Sequence, residues 1–199
     1  MLLGNLTYGQ DQHYLFTNIH TAMFDTTNKT ELCLAFNNNY LDFGYARQFK
    51  NLVLTVAVKP RISDQGGIRL PKNTGLFTLS QVYLNHAYSE VHVTQRKTHR
   101  MQKLFVGGGL GYQSHKDMLR VFGQLDWGNE SPLMNAGFSL RASMYQSQNE
   151  TRLRLEPAVT GKFKFGRMRL ISQLGYSILA DRRRVPMALL MSFGLSYVV

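Results

Sequence analysis

Cysteine, proline and long apolar runs are all scarce in this 199-residue chain. It has one cysteine, Cys33, and five prolines. A lone cysteine cannot form an internal disulfide, and Cys33 has no companions at metal-ligand spacing, so we expect no disulfide framework, metal or cofactor. No apolar run reaches the ~18–20 residues that a membrane-spanning helix needs. This excludes a helical membrane protein.

Acidic residues are also few. The chain has 12 of them against 23 lysines and arginines, for a formal net charge of +11. Such an excess favours a polyanionic neighbour, either nucleic acid, an acidic substrate or an anionic membrane surface. Hydrophobic residues make up 44% of the chain and aromatics 12%, too many for a disordered protein.

What the chain does contain is a two-residue alternation of apolar and polar side chains, from about residue 30 to the end. In "RLRLEPAVTGKFKF" (152–165), one row is charged or polar and the other is apolar or small. Short turn-like segments separate the runs, as at 49–51 and 165–167. The pattern predicts an all-β antiparallel up-and-down meander of about ten (10–12) strands over 30–199. Residues 1–29 form a separate N-terminal segment: a signal remnant, a periplasmic tail or a first strand.

A soluble sandwich and a transmembrane barrel both fit such a meander. The runs are long, at roughly 9–15 residues, as membrane-crossing strands are, whereas soluble strands average ~5–6 residues. The polar rows are rich in Gly, Ser, Ala and Gln, which suits the lumen of a narrow barrel. Aromatics stand at strand ends, as the girdles of membrane barrels require. These are Tyr40, Phe49, Tyr112, Trp127, Tyr145, Phe165, Tyr176 and Tyr197. We therefore predict a transmembrane β-barrel.

In such a barrel the apolar row faces lipid and the polar row faces the lumen. The alternation assigns six basic residues to the lumen: Arg141, Arg152, Arg154, Lys162, Lys164 and Arg169. We expect Arg152, Arg154, Lys162 and Lys164 to pair with three lumen-facing acids or with water, since an unpaired buried charge is costly. Those acids are Asp42, Asp126 and Glu156. The predicted lipid-facing residues are Leu153, Leu155, Val159, Phe163, Phe165, Leu189, Met191, Phe193 and Leu195. Pro157 predicts a bulge or an interruption in its strand.

Several segments resemble small outer-membrane barrel proteins of the Bacteroidota. They are "TELCLAFNNNYLDFGYARQFKNLVLTVAVK", "RVFGQLDWGNESPLMNAGFSLRASMY", "LRLEPAVTGKFKFGRMRLISQLGYSI" and "LLMSFGLSYVV". The resemblance covers roughly 30–59 and 102–199. It implies an outer-membrane location, an even strand number with ten expected, and an accessory-type barrel of unknown function. It supplies no catalytic residues.

Candidate chemical sites are few. Ser89, Glu90 and His92 are the nearest approach to a hydrolase triad, but triad members usually meet across a fold and not along one strand. The glycines of "VGGGLG" (106–111) lack the following Lys-Ser/Thr of a phosphate loop and are better explained by crowding in the lumen. Arg182, Arg183 and Arg184 are candidates for contact with lipopolysaccharide phosphates or another anion.

The favoured function is a structural or accessory subunit of a larger outer-membrane complex, such as assembly or secretion machinery, without enzymatic activity. Its partners would be outer-membrane lipid or lipopolysaccharide and other outer-membrane or periplasmic proteins, and no nucleic acid is expected. The alternatives are a narrow anion-preferring pore, an outer-membrane lipid-modifying enzyme or, if the chain is soluble, a basic β-protein that binds nucleic acid.

Overall fold

The computed structural model describes residues 29–37, 41–59, 88–99, 102–113, 117–147, 150–179 and 187–199. These form ten strands. In chain order they are β1 (Thr30–Asn37), β2 (Leu41–Phe49), β3 (Leu52–Lys59), β4 (Tyr88–His99), β5 (Gln102–Gln113), β6 (Met118–Glu130), β7 (Met134–Ser147), β8 (Glu150–Phe165), β9 (Met168–Leu179) and β10 (Met187–Val198). No helix long and apolar enough to span a membrane occurs among the described residues.

The ten strands close into one barrel. Each strand pairs antiparallel with the next in the chain, and β1 pairs antiparallel with β10. Closure gives every strand two neighbours and leaves no edge with unpaired backbone groups, which a lipid environment requires. The predicted all-β meander of about ten strands is confirmed, with an even strand number. The segment 1–28 lies outside the described residues, so its separate role stays a prediction.

The strands tilt steeply around the barrel axis. The paired residues, followed from Thr30 through nine strand interfaces, lead to Met187 on β10. Across the closing seam, however, Thr30 exchanges backbone hydrogen bonds with Val199. The two positions on β10 differ by about 12 residues, which is the shear of the barrel. For ten strands this shear corresponds to a tilt of about 40°, inside the usual ~35–45°.

All four connections at one end of the barrel are short, at two or three residues each. Two-residue connections join β2 to β3 and β8 to β9, and they contain the positive-φ residues Lys50 (52°) and Gly166 (62°). The predicted hairpins at 49–51 and 165–167 are therefore confirmed. The connections at the opposite end include 60–87 and 180–186. Transmembrane barrels keep short turns at the periplasmic end and longer loops outside, which sets the orientation of this one.

The barrel wall is uneven in height. Strands β1, β2 and β3 have 8, 9 and 8 residues, whereas β8 has 16. At the observed tilt, eight residues rise about 20 Å and sixteen about 40 Å. The short-turn ends lie at one level, so the difference falls at the long-loop end. The described wall beside β1–β3 is thus lower than the ~25 Å apolar band of a typical membrane barrel.

The barrel is apolar outside and polar inside. All nine residues predicted to face lipid are exposed, from 40% for Leu155 to 67% for Phe165. A soluble sandwich would bury this row against a second sheet, and the described strands form one closed sheet with no second sheet over it. Water is a poor solvent for such a belt, and hydrocarbon is a good one. The fold is therefore that of a bacterial outer-membrane β-barrel.

Pro157 and Tyr145 occupy special positions in their strands. Pro157 pairs with Leu140 on β7, but the ladder to β9 is interrupted over Glu156 and Pro157 and resumes in the same register at Ala158. The interruption is confirmed, and no bulge accompanies it. The assignment of Tyr145 to the aromatic girdle is wrong, because its side chain is buried inside the barrel. Tyr40 lies outside the described residues, and the other six predicted girdle aromatics are exposed.

A closed barrel should resist detergent until it is heated. We expect the protein, extracted from membranes and kept in cold SDS, to migrate differently on a gel from the boiled sample, because all ten strand interfaces must open together. Identical mobility of the two samples would contradict a closed barrel.

Candidate functional site: the barrel interior

Charged side chains from almost every strand meet inside the barrel. Seven basic residues of the described strands are buried there: Lys59, Lys103, Arg120, Arg141, Arg154, Lys162 and Arg169. Five buried acids accompany them: Glu31, Asp42, Glu90, Asp126 and Glu156. Burying an ion costs several kcal/mol unless it is paired and hydrogen-bonded, so the arrangement of these twelve groups decides whether the barrel is stable.

A chain of ion pairs crosses the lumen between strands β2 and β7. The Lys59 ammonium lies 3.5 Å from the Asp42 carboxylate and 3.3 Å from that of Glu90. The other Glu90 oxygen accepts a hydrogen bond from Arg141 Nη1 at 3.2 Å. Because Arg141 is on β7 and Glu90 on β4, this last pair ties together strands that are not neighbours in the sheet.

Gln124 extends the chain of ion pairs to a third acid. Arg141 Nε donates to Gln124 Oε1 at 2.8 Å, and Gln124 Nε2 donates to both carboxylate oxygens of Asp126 at 2.8 Å. The amide therefore accepts from a cation on one side and donates to an anion on the other. A neutral side chain connects two ions without adding a charge of its own.

A second cluster is centred on Arg120. Its Nη2 binds Glu156 and donates to Ser143 Oγ at 2.6 Å. Glu156 also accepts from Ser143 Oγ at 3.2 Å and from the Tyr145 hydroxyl at 3.3 Å. A carboxylate with three donors is well compensated for the water it has lost.

Two aromatic rings separate the arginines of these clusters. The Phe122 ring lies 5.3 Å from the Arg120 guanidinium carbon and 4.2 Å from that of Arg141. The Tyr145 ring lies 4.8 Å from that of Arg120 and 5.7 Å from that of Arg154. Each ring offers its negative face to cations, a contact worth ~0.5–2 kcal/mol, and keeps like charges apart.

Two smaller ion-pair groups lie nearer the short-turn end. Lys162 Nζ contacts both oxygens of Glu31, at 2.9 and 3.2 Å, and Ser196 Oγ donates to the same carboxylate at 2.6 Å. Lys103 and Lys164 both form ion pairs with Glu130, and Lys164 Nζ lies 3.2 Å from the Glu130 carboxylate. The Lys162–Glu31 pair links β8 to β1, and the Ser196–Glu31 hydrogen bond links β10 to β1 across the closing seam.

The predicted lumen residues occupy the interior, but several have other partners than expected. Arg141, Arg154, Lys162, Arg169, Asp42, Asp126 and Glu156 are buried, and Arg152 and Lys164 are half-buried. Arg154 Nη1 donates to Ser177 Oγ at 3.0 Å. Lys162 and Lys164 were expected to pair with Asp42, Asp126, Glu156 or water. Strand register places Glu31 beside Lys162 and Glu130 beside Lys164, and each lysine forms an ion pair with that acid.

Sequence reasoning missed the partners that hold these acids. Lys59, Arg120 and Glu90 were not assigned to the site, nor were the buried aromatics Tyr88 and Tyr145. Parity along the strand could have found Lys59, which follows the inward residues Val53, Thr55 and Ala57. Glu90 lies in β4, for which the pattern gave no clear boundary.

The glycine run of β5 makes room for this crowded interior. A Cβ on Gly109 would lie 2.7 Å from Phe122 Cζ, and one on Gly111 would collide with the Tyr88 ring. Only hydrogen fits at these two positions. The explanation by lumen crowding accounts for the run without a phosphate ligand.

The triad candidates do not assemble. Glu90 and His92 are buried inside, whereas Ser89 is exposed on the opposite face of β4, because neighbouring strand residues point to opposite faces. The inward His92 ring instead meets the Phe122 ring edge-on at 5.8 Å. Across the described strands and turns, no three potential metal ligands converge. The anion candidates Arg182, Arg183 and Arg184 lie outside the described residues.

Comparisons with known proteins find similarity to solved structures alone. No protein-family model matches the chain, and no curated protein matches it. Solved structures that match include the KdgM porin in complex with disordered oligogalacturonate, at 9% identity and TM-score 0.47, covering 85% of this chain and 98% of that one. Another is a loop L8 deletion mutant of OmpT, an outer membrane protein of Vibrio cholerae, at 10% identity and TM-score 0.36, covering 86% and 97%.

Similarity this remote says nothing about what the present chain binds. The outer-membrane barrel architecture stands on the closed sheet and its outward apolar belt. Neither match bears on an origin in the Bacteroidota, which stays a prediction.

The interior ion pairs should carry much of the stability. We expect Glu90→Gln to lower the free energy of unfolding by about 3–5 kcal/mol, because it removes the anion shared by two buried cations. Glu130→Gln is the matched control. Since that carboxylate is 22% exposed and keeps part of its hydration, its loss should cost clearly less than the loss of the Glu90 carboxylate. Reversible urea unfolding in lipid vesicles measures both values, and equal losses would contradict a dry central network.

Proposed function

We propose that this protein is a non-conducting outer-membrane barrel that serves as a structural or accessory subunit of a larger outer-membrane assembly, without catalytic activity. One observation carries the proposal. The interior is filled by side chains that have almost no exposed surface, among them Arg120, Arg141, Tyr88, Tyr145 and Lys59. A barrel whose lumen is a packed core offers its outer wall and its rims to partners, and not a passage.

The way in which the interior is filled supports this role. Ion pairs, amide relays and stacked rings occupy the middle of the described barrel, and the cross-lumen Arg141–Glu90 pair lies within the region that a channel would need. Small barrels commonly fill their interiors in this way. Charged side chains with several partners resist displacement, because breaking one buried ion pair leaves its partner unpaired.

A narrow anion-preferring pore is the second candidate. It is favoured by the seven buried bases of the described strands against five buried acids, since an excess of fixed positive charge attracts anions. This function would require the cross-lumen pairs to part.

Planar-bilayer recording separates the two candidates. We expect the purified wild-type protein to show no steady conductance, because the central side chains block the lumen. The double variant Arg120→Ala/Arg141→Ala removes two large blocking groups and should show openings, which serves as the positive control. Steady wild-type conductance with anion preference would overturn the proposal of a non-conducting barrel in favour of a pore.

The accessory role needs its own test. A tagged chain extracted in mild detergent from its native membranes should co-purify with a constant set of outer-membrane or periplasmic proteins. The same extract treated with a dissociating detergent is the control, and it should yield the barrel alone. A protein that purifies alone under both conditions would contradict the accessory role.

A further inference from the structure

An apolar groove runs along the outer wall over strands β10, β1, β2 and β3, with Met168 of β9 beside it. Its volume is about 540 Å³, within the ~300–1,000 Å³ range of ligand cavities. Large outward side chains line it, together with three small residues. The large ones include Leu34, Phe43, Tyr45, Val56, Leu195 and Tyr197. Because strand side chains alternate, the inward Cys33, Gly44 and Ser196 contribute backbone to the groove bottom.

The groove lies on the low side of the barrel. Among the described residues, strands β1–β3 are the shortest, so the groove occupies much of the height of the described wall there. Lipid hydrocarbon is the medium around this wall, and the apolar lining of the groove matches the acyl chain of a lipid.

Two exposed arginines flank the groove at its short-turn end. Arg47 follows the lining residue Tyr45 by two positions on β2, and its guanidinium carbon stacks 5.2 Å from the Phe49 ring centroid. On the other flank, Arg167 Nη1 donates to the hydroxyl of the lining residue Tyr197 at 3.4 Å. Aromatic contacts of this kind hold cations at the membrane–water boundary.

The two arginines lie nearly level with each other across the seam. Arg47 pairs with Thr30, Thr30 bonds Val199, and the Arg167 carbonyl accepts from the Val198 amide. Three strand spacings therefore separate their backbones, about 14 Å. Two long side chains across such a gap can both contact one headgroup placed between them.

No described acidic side chain beside the groove opposes the positive charges of Arg47 and Arg167. Glu31, whose strand neighbour is Ala46, points inside and binds Lys162. Glu130 binds Lys103 and Lys164 near another turn. No described acidic side chain borders the groove, so its lower end is positive. A guanidinium pair suits a phosphate group.

We infer that this groove is a phospholipid site, with an acyl chain along the apolar channel and the headgroup phosphate between Arg47 and Arg167. The short-turn end of the barrel faces the periplasm, so the lipid belongs to the periplasmic leaflet. The inference is independent of whether the barrel conducts or joins an assembly. It does not involve the three arginines at 182–184.

Native mass spectrometry of the full, folded chain tests the site. The protein is exchanged from neutral detergent into micelles containing phosphatidylglycerol. We expect one phosphatidylglycerol to remain bound, and Arg47→Gln or Arg167→Gln to weaken its retention about tenfold, the effect of losing one charge-assisted contact. Val56→Trp, which fills the groove, should abolish retention while both arginines remain.

Lys97→Gln is the matched control, because Lys97 is an exposed base on β4 outside the groove. It should leave retention unchanged. Equal loss in Lys97→Gln would mean diffuse charge attraction and would overturn the site. Unchanged retention in Val56→Trp, or no retained lipid in the wild type, would overturn it as well. Occupation of the groove by an acidic periplasmic protein in place of lipid would also overturn the lipid site.

Discussion

The barrel depends on one electrostatic constraint: ionised side chains enclosed by the sheet must find partners across the lumen. In a water-soluble protein the apolar side chains form the core, and charges stay outside. Here hydrocarbon covers the apolar row, so the enclosed volume is left to Lys59, Arg120, Arg141 and the acids that bind them. An unsatisfied ion in that space would cost several kcal/mol. That is a large part of the free energy of unfolding of a typical protein, about 5–15 kcal/mol. The interior network is therefore the core of the protein.

Other features of the fold follow from accommodating that network. Glycines line β5 where Tyr88 and Phe122 fill the interior. Gln124 joins Arg141 to Asp126, and Phe122 separates two guanidinium groups. Pairs such as Lys162–Glu31 link strands distant in the sheet, so the seam between β1 and β10 is supported by side chains as well as by backbone hydrogen bonds. The same crowding makes a passage through the middle of the barrel difficult, and it directs attention to the outer wall.

Sequence periodicity predicts which way a side chain points, because strand parity is a local property. Leu153, Phe193 and their neighbours face outward, and Arg141 and Glu156 face inward, as the alternation predicts. Pairing is a different matter, since it depends on register accumulated over several strands. Nothing near Lys162 in the sequence indicates Glu31, which lies 131 residues away. Tyr145 was assigned wrongly for a different reason: an aromatic near a strand end resembles a girdle residue, although its parity with Arg141 and Ser143 indicates that it points inside.

The orientation of the apolar row can be measured directly, because the chain contains a single tryptophan, Trp127. Its side chain is 52% exposed on the outer wall. Its fluorescence in vesicles should be quenched by phospholipids brominated along their acyl chains and little affected by aqueous acrylamide. The paired variant Trp127→Phe/Phe122→Trp moves the indole to an inward position and should lose the lipid quenching. Strong acrylamide quenching of Trp127 with no effect of brominated lipid would mean that hydrocarbon does not cover this face. It would contradict a barrel with apolar side chains toward lipid and charged side chains inside.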